Sequence, residues 1–242
     1  MKILLSNDDG YHATGIQELI KQLEKDHEIY VAAPLKNHSA GSSALTVRKD
    51  INVNNIKTNH YIIDGTPADC VHIALTCLIK DKIDLVVSGI NLGANLGDDV
   101  IYSGTVAAAL EGRHLKMSPI AISLVSHDKI YVSRAAIESS KIIREIINNK
   151  DIYAKTLLNI NIPDFDSENI YFEHTRLGKR GLPLPATKNR DNLYKIGGAG
   201  PPEDYSEGTD FFCIKENKIS ITPLTYDLTN YEVLKIINKN EY

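Results

Sequence analysis

Asp8 and Asp9 stand side by side at the end of the apolar run Lys2 to Ser6, with Asn7 before them and Gly10 after. Two adjacent carboxylates at a strand end repel each other and bring no packing. In open α/β sheets, however, the carboxyl ends of the strands are where ligands sit. A divalent cation gives a reason to hold both, because hard ions such as Mg²⁺ or Mn²⁺ take carboxylate and carbonyl oxygens. Three further strand or helix ends carry polar side chains: Asn37, His38 and Ser39 after Ala33-Pro34, Asn91 and Asn95 after the run Ile83 to Ile90, and Ser103-Gly104-Thr105 at the start of a helix. Unpaired amides and the helix dipole make that last position suited to an anion, phosphate above all. Plainer roles stay open for each: a turn cap for Asp8-Asp9, left-handed turns for Asn91 and Asn95, an ordinary helix start for Ser103.

Parallel strands would bring these ends together, and the first half of the chain alternates strand and helix signals in that way. Strands are expected at Lys2 to Ser6, Glu28 to Ala33, Tyr61 to Asp64, Ile83 to Ile90, Ile120 to Val125 and Leu157 to Ile162. Helices are expected at Gly15 to Lys25, Thr66 to Ile79, Thr105 to Leu115 and Val132 to Asn148. The result is a doubly wound α/β sheet. From about residue 170 glycine and proline replace the periodicity, so 177–205 should be hairpin and loop. Phe211 to Ile214 and Lys218 to Thr222 read as paired strands, and Asn230 to Ile237 as a short closing helix. One domain is expected over 1–242, with a core at 1–169 and an extension at 170–242.

The chain has 27 Lys and Arg against 31 Asp and Glu, a net charge of −4 that gives no general attraction to nucleic acid polymers or anionic membranes. The N-terminus reads as neither a signal peptide nor a membrane span. Cys70, Cys77 and Cys213 have no paired spacing and read as buried packing thiols, which fits a cytoplasmic protein. His12, His27, His60, His72, His114, His127 and His174 fit no metal-ligand spacing and read as structural. The stretch 176–195 is basic, either a mobile arm that draws nucleotides or phosphate chains inward, or a solvated hairpin or arm gripping a partner subunit.

Asn-Asp-Asp-Gly at 7–10, Ala-Pro-x-x-Asn-x-Ser at 33–39 with Leu45-Thr46 behind it, Ser-Gly-Ile-Asn-x-Gly-x-Asn at 88–95, Tyr-Ser-Gly-Thr-Val-x-Ala-Ala at 102–109, Gly-Thr-Asp at 208–210 and Ser-Ile-Thr-Pro-Leu at 220–224 together resemble the SurE survival-protein family. The resemblance runs in order from residue 1 to about 229. It implies a Rossmann-like fold and a metal-dependent phosphatase acting as a 5′- and 3′-nucleotidase, with some members releasing phosphate from polyphosphate. It implies one divalent ion held by Asp8, Asp9, Ser39 and Asn91, and phosphate contacts from Asn95, Ser103, Gly104 and Thr105. It also implies a homodimer or homotetramer built through the C-terminal third. Leu35-Lys36, Ser39-Ala40-Gly41-Ser42 and Lys195 depart from the family pattern and bear on loop conformation and substrate preference.

The chemistry expected is metal-assisted hydrolysis of a phosphomonoester, with Asp8 and Asp9 as the catalytic carboxylates. One of them acts beyond ligation, as base or as nucleophile; the residues do not separate these roles. The leaving alkoxide takes its proton from solvent or, as the lesser candidate, from His38. A broader phosphatase acting on short polyphosphate is the first alternative. A phosphoacceptor signalling domain is a remote one, since Asn91 stands where its acceptor aspartate would be.

Overall fold

The computed structural model describes residues 1–165 and 170–239. The expected core–extension boundary at 169/170 touches residues outside that set.

The first half runs β1 (Lys2–Ser6), α1 (Thr14–Leu23), β2 (Glu28–Pro34), β3 (Val53–Lys57), β4 (His60–Ile63), α2 (Pro67–Ile73), β5 (Leu85–Leu92) and α3 (Gly104–Leu110). It continues through β6 (Ile120–Leu124), α4 (Val132–Asn148) and β7 (Leu157–Ile162). The remainder is β8 (Phe172–His174), β9 (Lys179–Arg180), β10 (Thr187–Arg190), β11 (Leu193–Lys195), β12 (Pro202–Asp204), α5 (Asp210–Lys215), β13 (Ile219–Leu224) and α6 (Tyr231–Lys239).

Among the described residues nine strands form one sheet in the order β3-β4-β2-β1-β5-β6-β7-β13-β8. From β4 to β7 all neighbours are parallel. That inner order reverses direction between β1 and β5, which is the switch point where doubly wound sheets bind ligands. The strands are near-continuous apolar runs because both faces are covered. Ile3 and Leu5 pack with Ile16, Leu19 and Ile143 on the α1–α4 face, whereas Leu4 joins Val86, Val71 and Ala108 on the α2–α3 face.

Local chemistry accounts for the helix starts. Thr66 caps α2 through the Asp69 amide while the Asp69 carboxylate accepts the Thr66 amide, with Pro67 in the first turn. Ser103 caps α3 by accepting the Val106 N–H at 3.1 Å.

Three expectations need correction. Phe211 to Ile214 is not a strand but most of α5, because Thr209 caps it through the Phe212 N–H. A four-residue apolar run carries too little period to separate the two states. The strand at Lys218 to Thr222 is real, as β13, and joins the main sheet antiparallel to β7 and parallel to β8. β3, within the polar stretch after β2, pairs antiparallel with β4 and is exposed along its length, so it carries no apolar signal. Finally, Cys70 is buried but Cys77 is exposed. The last turn of that helix widens to i→i+5 bonding, Ile79 N–H to Ala74 O, which rotates Cys77 off the face it would share with Cys70. The 177–205 segment is hairpin and loop as expected, with β10–β11 and β9–β12 as small antiparallel pairs.

Candidate active site

The site is assembled at the carboxyl ends of β1, β2 and β5 and at the start of α3. Asn7 turns the chain out of β1: its side-chain amide donates to Gly10 O at 2.9 Å and its carbonyl accepts the Gly10 N–H at 3.2 Å. The two aspartates are thereby held at the sheet edge. Asp8 is 4% exposed, and its Oδ1 accepts the Thr105 hydroxyl at 2.7 Å. Gly104 must be glycine for α3 to come this close, since a Cβ there would lie 2.9 Å from Asp8 Oδ2. Asp9 bridges the other two strand ends, with Oδ1 accepting Asn37 Nδ2 at 2.8 Å and Oδ2 accepting the Leu92 N–H at 3.3 Å.

The neutral candidates present their acceptor atoms. Ser39 gives both its N–H and its hydroxyl to Asn37 Oδ1, at 2.8 and 2.7 Å, which leaves the Oγ lone pairs. Asn91 donates its amide to Gly93 O at 2.8 Å, which leaves the side-chain carbonyl. Two carboxylates, a hydroxyl oxygen and an amide oxygen form a hard, oxygen-only set that fits Mg²⁺ or Mn²⁺. Among the described residues no cluster of three or more His, Cys, Asp or Glu offers a softer alternative.

Electrostatics point the same way. Burial is the main cause that pushes the Asp8 carboxyl above its usual range; the Asp9 charge adds to it and the Thr105 hydrogen bond opposes it. Burial also raises Asp9, against the Leu92 N–H, the Asn37 amide and the charge of His127. A bound cation would offset this desolvation and repulsion together.

Asp8, Ser39, Asn91, Asn95 and Ser103 line a single cleft of about 300 Å³. Gly104 and Thr105 lie against Asp8, and Asp9 is tied to Asn37 and to Leu92, which also lines the cleft. Thr105 is fully buried and turns both its hydroxyl and its backbone N–H to the Asp8 carboxylate. Asn95 is held firmly: its N–H donates to Asn161 Oδ1 at 2.9 Å, its carbonyl accepts Asn159 and Asn161 amides at 2.8 and 2.9 Å, and its own amide donates to Ser123 Oγ at 2.8 Å. His38 supplies only a backbone contact here, its N–H to Asp8 O at 2.7 Å.

His127 belongs to the site despite its structural reading from sequence. It lines the cleft, and its imidazole Cε1 lies 3.0 Å from where a Gly93 Cβ would be. Asp99 and Tyr102 line it too. Spacing could not reveal these three. A signal did exist for Asn159 and Asn161, two amides at alternate positions of an otherwise apolar strand.

The sequence model described as "Survival protein SurE" matches residues 3–182. The chain belongs to the SurE family. It is 47% identical to a 5′-nucleotidase SurE of Ruthia magnifica over 242 residues, covering 99% of this chain and 98% of that one. It is 45% identical to a 5′-nucleotidase SurE of Haemophilus influenzae, covering 97% and 95%. The crystal structure of the SurE protein from Aquifex aeolicus superposes with a TM-score of 0.87 at 39% identity, covering both chains completely. The family and the doubly wound α/β fold expected from the sequence are thus those found.

Proposed function

We propose that this SurE chain is a divalent-metal-dependent phosphomonoesterase that hydrolyses nucleoside 5′- and 3′-monophosphates to nucleoside and phosphate. The activity follows from its membership among 5′-nucleotidases along its whole length. The observation that carries the assignment to residues is that Asp8, Ser39 and Asn91 share one cleft with the capped start of α3 while Asp9 is tied to its Leu92 wall, all four with oxygen acceptors left over.

Asp8, Asp9, Ser39 and Asn91 hold one Mg²⁺ or Mn²⁺. When bound, that ion polarises the phosphoryl oxygen and lowers the pKa of an attacking water. Asn95, Ser103 and the first-turn amide of Gly104 bind the phosphoryl oxygens and stabilise the charge that develops on them, and Thr105 acts through Asp8. Thr105 fixes one oxygen of Asp8, while Asn37 and Leu92 fix Asp9, so both carboxylates meet the reacting group already oriented.

The arm does not favour polyphosphate as the main substrate. Arg176, Lys179 and Lys188 pair with Asp204, Glu203 and Asp191, and Arg180 pairs with Asp99, so its charge is largely answered within the chain. A homodimer or homotetramer suits the exposed apolar residues of α6, Tyr231, Val233, Leu234, Ile236 and Ile237, and those of the arm, Leu182, Leu184 and Ile196. The free cysteines suit a cytoplasmic setting; among the described residues no helix is long and apolar enough to cross a membrane.

The test is phosphate release from a panel of nucleoside monophosphates competing with tripolyphosphate, in EDTA and then in Mg²⁺ or Mn²⁺. Metal-restored release with nucleotides as the better competitors is expected. Preferential cleavage of tripolyphosphate would replace the substrate assignment.

A further inference from the structure

The Gly-Thr-Asp run at 208–210 has no role in the chemistry above, yet Asp210 is fully buried. Its Oδ2 accepts the Gly97 N–H at 2.7 Å, and its Oδ1 accepts the N–H groups of Gly178 at 2.8 Å and Phe211 at 2.9 Å. Three amide donors on one carboxylate are charge-assisted bonds of the stronger kind. Two of them come from segments distant in sequence and different in role. Gly97 opens the 3-10 segment Gly97–Tyr102, which brings Asp99 and Tyr102 to the cleft and ends at Ser103. Gly178 lies at the root of the basic arm.

The junction has little room to slip. Gly97 has φ +64°, and a Cβ there would meet the Phe211 ring at 2.7 Å; a Cβ on Gly178 would meet the same ring at 2.3 Å. Arg180 ties the arm root to the 3-10 segment a second time. Its N–H donates to Asp98 Oδ1 at 2.8 Å, its Nε lies 2.9 Å from Asp99 Oδ2, and its guanidinium sits 4.8 Å from the centre of the Phe211 ring. Packed contacts therefore run without a break from the arm root, through Asp210 and Arg180, to the wall of the cleft and the Ser103 cap.

We infer that Asp210 is a positioning residue: it seats the arm root against the Gly97–Tyr102 segment and so sets the geometry of the phosphate cradle at Ser103–Thr105. The inference rests on the proposed use of that cradle. It makes phosphate affinity depend on how the arm is seated, while the metal ligands, which come from β1, β2 and β5, stay independent of it.

Asp210→Asn preserves volume but turns one acceptor into an NH₂ facing an N–H, and Arg180→Gln removes the guanidinium contacts of the second tie, to Asp99 and the Phe211 ring, outside the buried carboxylate. Phosphate affinity is measured by calorimetry with Mn²⁺ present, Mn²⁺ affinity separately, and KM and kcat for AMP alongside. Asp210→Asn is expected to weaken phosphate binding about tenfold and to raise KM for AMP in step, as loss of one such bond implies. Arg180→Gln is expected to act in the same direction by about threefold, with Mn²⁺ affinity unchanged in both. A fall in melting temperature with phosphate affinity and KM unmoved would overturn the inference. Should Asp210→Asn fail to fold, Arg180→Gln decides alone, and unchanged phosphate affinity there overturns it. Wild-type protein that binds phosphate but releases none from AMP would refute the nucleotidase reading and leave this comparison intact; wild-type protein that binds no phosphate would end both.

Discussion

The sheet core and the C-terminal third bury polar groups for different ends. At the core's strand ends, Asp8 and its neighbours direct oxygen acceptors into a cleft, with burial and mutual repulsion left standing. In the C-terminal third the buried polar groups answer each other: Thr175 bonds Ser220 at 2.8 Å and Thr222 at 2.7 Å, and Asp210 takes three amides. Apolar surface shows the reverse. The core encloses its apolar side chains, whereas the arm and α6 present theirs outward. One region is complete in itself but strained for a ligand; the other is satisfied internally and open to another surface.

The sharpest contrast to break is in stability. Leu4→Ala, in a fully buried β1 position, should cost about 2–5 kcal/mol in chemical denaturation. Leu184→Ala, on the exposed arm, should stay within about 0.5 kcal/mol in the isolated subunit. A large cost at Leu184 under subunit-dissociating conditions would remove the distinction.

Acid should weaken the core next. His60 is buried against the Tyr11 hydroxyl at 3.0 Å, and burial lowers its pKa to about 4. Its folded value lies below the unfolded one, so the stability it gives is present above about pH 6.5 and is lost as pH falls towards 4, at up to about 1.4 kcal/mol per pH unit. His60→Gln should flatten that limb relative to wild type in paired denaturation curves. The buried aspartates, shifted upward, act in the opposite sense and cancel in the difference.

A smaller effect is expected at the Asn95 support. Asn161→Ala removes two of its bonds and should lower kcat/KM for AMP by about tenfold, as one or two lost buried hydrogen bonds imply. In an Asn95→Ala background the same change should do less, a coupling that a double-mutant cycle reads directly. Last, Ile236→Ser on α6 should leave the denaturation midpoint of the isolated subunit nearly unchanged while lowering particle mass in light scattering.

Most of the architecture was legible because β1, β5 and β7 are predominantly apolar runs and α4 keeps helical period along its whole length. The candidate site was legible where a polar residue lies at or just beyond the carboxyl end of a strand, as Asp8, Ser39 and Asn91 do. What escaped depends on tertiary neighbours. Phe211 to Ile214 takes its helical state from the Thr209 cap. Cys77 is turned outward by one widened turn. His127 lies beyond the end of β6 and reaches the cleft only because β5 and β6 are neighbours. Asn159 and Asn161 point at Asn95 across the sheet edge, which no local spacing encodes.

The central claim is that the strand-end oxygens of the core hold the ion on which hydrolysis depends. It is tested most directly by AMP hydrolysis in EDTA and after Mn²⁺ restoration, with wild type and Asp8→Asn compared and folding monitored by melting temperature. Metal-restored release is expected in wild type, with at least about a thousandfold loss in Asp8→Asn and a melting temperature no lower, since a buried, repelled charge has been removed. Asp8→Asn protein that hydrolyses AMP at the wild-type rate would contradict the claim.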